Sequence, residues 1–137
     1  GYLAPVTVGW SSTNSSPLIR LTSIGSDGAR VVLRSPDGAS NPYLVIAACL
    51  AAGLSGIKEG LEPPVCMDDL SEKEAKKCET LPRTLYEAVK LFEEDDFLQE
   101  VVGAHISEHL IKSKDQEWNE YCTQVTLWET KRYLTSL

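Results

Sequence analysis

The sequence predicts an α+β fold, with antiparallel strands in a hairpin near the N-terminal end packed with helices toward the C-terminal end. Two observations carry that expectation. The first third of the 137 residues is rich in β-branched residues, Ser, Gly and Pro, whereas the last part is rich in Glu, Lys and Leu, compositions that suit strands and helices respectively. With 42% hydrophobic and 24% charged residues, the chain is apolar enough to bury the core of one ordinary domain.

The strands are expected between about residues 3 and 34 and the helices between about residues 41 and 134. Residues 3–10 alternate well enough for a strand, and residues 11–16 form a polar loop ending at Pro17. Residues 17–24 and 29–34 read as two further strands. Between them Gly25-Ser26-Asp27-Gly28 tolerates the positive φ of a tight reversal, so the two strands pair as a hairpin.

Arg34-Ser35-Pro36-Asp37-Gly38 breaks the strand, and Ser40-Asn41-Pro42 has the form of an N-cap followed by proline at the first helical position. The helix it opens, residues 42–54, is apolar nearly all round, which predicts burial on most sides. Gly53 and Gly56 are expected to end it. Residues 58–67, with Pro63-Pro64, form an extended connector. Ser71 and Glu74 have capping-box spacing for a short helix to about Cys78, and Thr84 and Glu87 repeat it. The second of these helices carries Leu85, Ala88, Val89 and Phe92 on one stripe. A short helix over residues 97–102 stops at Gly103. The closing helix, residues 104–121, sets Ile106, Leu110, Ile111, Trp118 and Tyr121 along one face. The tail, residues 126–137, keeps Leu127, Trp128, Tyr133 and Leu134 and is too apolar to hang free, so it is expected to dock on its own domain or a neighbour.

A formal charge of −7 argues against nucleic acid or anionic lipid as partners, so any bound anion must be captured locally. Cys49, Cys66, Cys78 and Cys122 include no Cys-x-x-Cys pair; their even number permits two disulfides, but Cys49 lies in an Ala/Leu-rich helical run where a reduced, buried thiol is expected. Residues 1–12 lack a basic start and a sustained apolar segment, and the longest apolar run, residues 43–54, falls short of the ~20 residues of a membrane span. A cytoplasmic protein with no membrane partner is the expectation.

Few side chains point to chemistry. Arg20 and Arg34 lie on the two arms of the hairpin, and a guanidinium fork grips phosphate or carboxylate with two parallel hydrogen bonds. If Ile24 pairs with Ala29, however, Arg20 faces Leu33 and the two arginines point to opposite sides of the sheet, so convergence requires a bulge. His105, Glu108 and His109 fit the pattern H-x-x-E-H of a zinc hydrolase, with only carboxylates such as Glu117, Glu120 and Glu129 left to complete the metal. The partly exposed rim of an amphipathic helix is the commoner explanation of two histidines at that spacing. The run Glu93-Glu94-Asp95-Asp96 suits a helix junction, where Asp caps and acids favour the first turn. Ser11, Ser12, Ser15 and Ser16 have no neighbouring histidine to activate them, and no phosphate-cradling glycine loop is present.

Residues 10–20 (WSSTNSSPLIR), 30–52 (RVVLRSPDGASNPYLVIAACLAA) and 53–58 (GLSGIK), in that order, closely resemble the C-terminal region of type I glutamine synthetases. Residues 81–87 and 125–133 (VTLWETKRY) are similar to that family's final helices and tail. The block from Arg30 to Leu44 is the most specific part, because it joins a strand, a turn and a capped helix. The resemblance implies the C-terminal part of a catalytic domain, without the N-terminal β-grasp domain or the upstream catalytic residues. It implies a parent that joins ammonia to glutamate through a γ-glutamyl phosphate made from ATP, with Mg or Mn assisting, in a homo-dodecamer of two rings. This segment alone is then expected to bind neither metal nor nucleotide and to be inactive. By the same resemblance the arginine at the place of Arg20 contacts ATP phosphates, and that at the place of Arg34 contacts glutamate or the acyl phosphate. Two positions depart from the family pattern: Ser15 stands where a phosphate-facing arginine is expected, and Val32 where a metal-ligating glutamate is expected. They open an alternative, a catalytically silent family member with an assembly or regulatory role.

Overall fold

The computed structural model describes residues 4–23 and 28–134. The chain divides into two compact units, Gly1–Leu81 and Pro82–Leu137.

The first unit is built on a three-stranded sheet of β1 (Thr7–Ser11), β2 (Pro17–Ser23) and β3 (Ala29–Leu33), in the order β1-β2-β3. β2 and β3 form the expected antiparallel pair, with Ile19 opposite Leu33, Arg20 opposite Val32, Leu21 opposite Val31, Thr22 opposite Arg30 and Ser23 opposite Ala29. The Arg34 N–H donates to the Leu18 carbonyl at 2.9 Å and carries the ladder one step further. The expected reversal at Gly25, Ser26 and Asp27, and the pairing of Ile24, lie outside the described residues.

β1 joins the hairpin in parallel, with Thr7 opposite Pro17 and Ser11 opposite Arg20. Its ladder is irregular between Thr7 and Trp10, where β1 carries one residue more than β2. Gly9 sits in that irregular stretch for a steric reason: a Cβ there would come within 2.7 Å of Met67 Sδ. The outer edge of β1 is covered by residues 79–81, through Val8 N–H to the Glu79 carbonyl (2.8 Å) and Leu81 N–H to the Val6 carbonyl (3.0 Å).

Helix α1 (Pro42–Glu59) begins as expected, with Asn41 Oδ1 accepting from the Tyr43 and Leu44 amides at 3.0 and 3.4 Å and proline at the first helical position. It runs five residues beyond the expected end at Leu54. Gly53 and Gly56 remain helical, since an interior glycine costs only about 1 kcal/mol, and the stop is made by Gly60 at φ 64°. Leu61 N–H donates to Gly56 O (2.9 Å) and Gly60 N–H to Ile57 O (3.2 Å), the paired bonds of a left-handed glycine cap.

The expectation that α1 is buried on most sides is overturned. None of its residues is buried, Leu50 is 62% exposed and Ile57 78%, and Cys49 is exposed rather than buried. By length and composition α1 could also cross a membrane. A short 3₁₀ turn (Met67–Asp69) and α2 (Glu72–Ala75) complete the unit, and Ser71 and Glu74 close the expected capping box.

The second unit packs α3 (Leu85–Glu93), α4 (Asp96–Val102) and α5 (Ala104–Cys122) against one another, followed by α6 (Leu127–Tyr133). Val89, 6% exposed, marks the centre of its core. Thr84 caps α3 by accepting from Glu87 N–H (3.1 Å), but the Glu87 carboxylate takes the Arg83 amide (2.7 Å) instead of returning to Thr84. Asp95 caps α4 through Leu98 N–H (2.9 Å), as expected of the acidic junction. The inner face of α5 is centred on Ser107, 2% exposed and donating to the Gln99 carbonyl, while Ile106 and Tyr121 lie outside it. Residues 127–133 of the tail are helical, and Leu127 and Trp128 stay exposed rather than docking on the unit.

Candidate functional site

The register of the hairpin decides where the arginines go. Side chains alternate sides along a strand and directly paired residues share a side. With Arg20 opposite Val32, Arg34 stands two residues beyond Val32 and therefore on the same side as Arg20. The sequence expectation placed Arg20 opposite Leu33 and the arginines on opposite sides. The observed pairing differs by one residue, and a one-residue shift moves every side chain to the other face. No bulge in the β2–β3 ladder is needed.

Arg30, opposite Thr22, lies two residues before Val32 and joins the same face. Arg20 thus has Val32 directly across from it and Arg30 and Arg34 on its two diagonals, where backbones are roughly 7–8 Å apart. Arg20 and Arg30 are exposed and Arg34 is half-buried. Arg30 escaped the sequence reading although a signal was present, since residues 30, 32 and 34 of one strand must share a side. The opposite face is apolar. Ile19, Leu21 and Val31 border a cavity of about 490 Å³ with Val8, Trp10 and Pro64.

Ser15, the second departure from the family pattern, lies exposed in the loop of residues 12–16 between β1 and β2. That loop is held by Asp68 of the 3₁₀ turn. Its carboxylate accepts from Ser11 Oγ (2.5 Å), the Ser12 amide and hydroxyl (both 2.9 Å), and the Thr13 amide (3.2 Å) and hydroxyl (2.8 Å). Those hydrogen bonds, first that from Ser11, then the Ser12 amide and the Thr13 and Ser12 hydroxyls, hold the Asp68 carboxyl far below the usual carboxylate range against an opposing desolvation effect. Nothing in the sequence marks Asp68, because, apart from the Cys66 thiol (3.5 Å), its partners are more than fifty positions away.

The other candidates do not assemble a site. Glu108 is paired with Lys112 at 2.6 Å, and that hydrogen bond and charge hold its carboxyl low, which unsuits it as a water-activating base. The His105 and His109 rings meet edge to face, 4.5 Å between centroids. Glu93 is paired with Lys90 at 2.6 Å. Among the described residues no group of three or more His, Cys, Asp and Glu side chains gathers to hold a metal. Val32, amid the arginines, offers no oxygen to Mg or Mn, so the donor set of this face does not fit a divalent metal.

Comparison with known proteins agrees with the residues. Residues 1–133 match the family model described as glutamine synthetase, catalytic domain. The chain is 41% identical to proteins named glutamine synthetase from Clostridium saccharobutylicum (98% of this chain, 32% of that protein) and Staphylococcus aureus strain MW2 (98% and 31%). It is equally similar to one from Methanosarcina mazei (100% and 32%). A solved structure described as apo GmaS without ligand superposes with a TM-score of 0.76 at 36% identity, over 96% of this chain and 30% of that one. The chain spans about a third of the length of these relatives. With the match running through the strand, turn and capped helix that carry Arg20 and Arg34, the chain belongs to the glutamine synthetase catalytic-domain family.

Proposed function

We propose that this chain supplies the arginine face of an ATP-dependent ligase that forms glutamine from glutamate and ammonia through γ-glutamyl phosphate, and that it is the C-terminal part of a longer protein's catalytic domain. The pairing that sets Arg20, Arg30 and Arg34 around Val32 on one side of the sheet carries this reading. A phosphoryl group in transfer spreads negative charge over its oxygens, and guanidinium forks fixed on a sheet meet that charge without reorganising. Arg20 suits the ATP phosphates, with Arg30 adding a second exposed cation beside it. Arg34, half-buried at the end of the ladder, suits the glutamate carboxylate or the acyl phosphate.

Mg or Mn, which assists such transfers in the family, receives no ligand from this face, so residues beyond this chain hold the parent's metals. Those residues also supply the ammonium and glutamate pockets, and without them the isolated chain is inactive. The upstream part of the catalytic domain covers the bare flanks of α1. The family likeness supports a cytoplasmic homo-dodecamer for the parent.

Ser15 and Val32 favour a second reading, a silent member kept for assembly or regulation, because one cation and one metal oxygen are missing from the same charge-bearing site. Measuring ATP-dependent glutamine formation by the full-length protein separates the two. Turnover like that of the relatives supports the ligase, and nucleotide binding without turnover supports the silent form. A protein with neither refutes the ligase. If the two losses limit the rate, Ser15→Arg with Val32→Glu raises turnover by about 10³-fold.

A further inference from the structure

We propose that Asp68 is a positioning residue for the arginine face, clamping the loop of residues 12–16 so that β2 begins in the pairing that seats Arg20 between Arg30 and Arg34. This rests on the arginine-face reading and deepens it.

The connection from β1 to β2 is unusual. Parallel neighbours are ordinarily joined by a crossover of a dozen or more residues, yet here Ser11 is followed after five residues by Pro17, and Thr7 pairs with Pro17. The loop must run back along the whole of β1, about 13 Å at the rise of a strand, with little slack. A taut reversal exposes backbone N–H groups that no ladder can satisfy, and those of Ser12, Thr13, Asn14 and Ser16 find side chains. Ser12 and Thr13 amides go to Asp68, Thr13 and Asn14 amides to Ser11 Oγ (3.1 and 2.7 Å), and the Ser16 amide to Asn14 Oδ1 (2.9 Å).

Asp68 is itself braced from the β1 side. Trp10 Nε1 donates to the Pro64 carbonyl at 2.7 Å, and Met67 fills the space that Gly9 leaves open. The clamp therefore ties the residue after Trp10 to a second, distant stretch of chain. Ser11, the fully buried hub of the knot, is the direct ladder partner of Arg20. Slippage of the loop by one residue would shift the β1–β2 pairing at the position that carries the nucleotide-facing arginine. The depressed Asp68 carboxyl fits the same picture, since it is the charged form that accepts all five bonds.

The test uses the full-length protein with ADP as the probe, and compares wild type, Asp68→Asn, Ser12→Ala, Arg20→Ala and the Asp68→Asn/Arg20→Ala pair. Ser12→Ala removes one donor of the clamp from an exposed position and keeps the test valid if Asp68→Asn fails to fold. The expected result is roughly tenfold weaker ADP binding for Asp68→Asn and a few-fold for Ser12→Ala, faster amide exchange across residues 12–20, and no further loss when Asp68→Asn is added to Arg20→Ala, because the first acts through the second. Independent, additive losses, or unchanged ADP binding in the clamp variants while Arg20→Ala weakens it, overturn the positioning role and leave the arginine-face reading standing. Wild-type protein that binds no ADP overturns that reading, and the positioning role with it.

Discussion

Helices α1 and α5 have nearly the same length, 18 and 19 residues, and opposite relations to the rest of the chain. α1 is apolar nearly all round and buries none of its residues, whereas α5 is largely polar and buries Ser107 against α4 while packing on α3. Hydrophobicity alone therefore does not decide burial; a second surface must be available to bury against. For α5 that surface is α3 and α4, supplied by the same chain within a few residues. The relatives are about three times as long as this chain, and the proposed parent would have the further length with which to cover α1. Both ends of α1 are nevertheless finished by its own neighbours, Asn41 and Gly60. Helix formation is encoded locally here, and helix burial is not.

Substitution in the full-length protein sharpens that contrast. Leu50→Ala, harmless on an exposed helix, is expected to destabilise the whole protein by about 2–5 kcal/mol in urea melts, because the covered helix would leave a cavity. A cost below about 0.5 kcal/mol would mean that α1 remains exposed in the parent as well. Val89→Ala, in the core formed by this chain's own helices, is expected to cost about 2 kcal/mol by the same measurement.

The smallest effect concerns the clamp. Asp68 has a folded pKa depressed by its hydrogen bonds, so its contribution is fully present above the ordinary aspartate value near ~3.9 and is lost only as pH falls below it toward the folded value. Amide exchange at residues 12–14, corrected for intrinsic rates, should stay flat from pH 7 to 4 and rise only in stronger acid. Loosening between pH 6 and 4 would show that the carboxylate is not held this way.

Much of the framework was legible because its causes are local. Asn41-Pro42, Ser71 with Glu74, Asp95 and Gly103 each act within one helical turn, and each ends or begins an element where the sequence indicated. The stop at Gly60 rather than at Gly53 or Gly56 was not legible, since all three are glycines and only the bonds closed around Gly60 distinguish it. The arginine face was half legible. Residue type singled out Arg20 and Arg34, but the side of the sheet depends on a pairing offset of one residue, which no property of either strand alone determines. Asp68 was invisible for the same kind of reason, as Ser11, Ser12 and Thr13, which supply the bonds that clamp the loop, lie far earlier in the chain. The inner face of α5 was legible in its middle, where Leu110, Ile111 and Trp118 are half-buried, but not at its ends, where Tyr121 is exposed and Ser107, small and hydrogen-bonded to Gln99, fits between helices better than the larger Ile106.

The most direct measurement is steady-state ATP-dependent glutamine formation, or ADP affinity if turnover is absent, in the full-length protein carrying Arg20→Ala, Arg34→Ala and both. Guanidinium groups acting on one shared charge predict losses of about 10²–10³-fold for each single change and far less than the product for the pair. Losses under about threefold in both single variants would contradict a common phosphate-binding face.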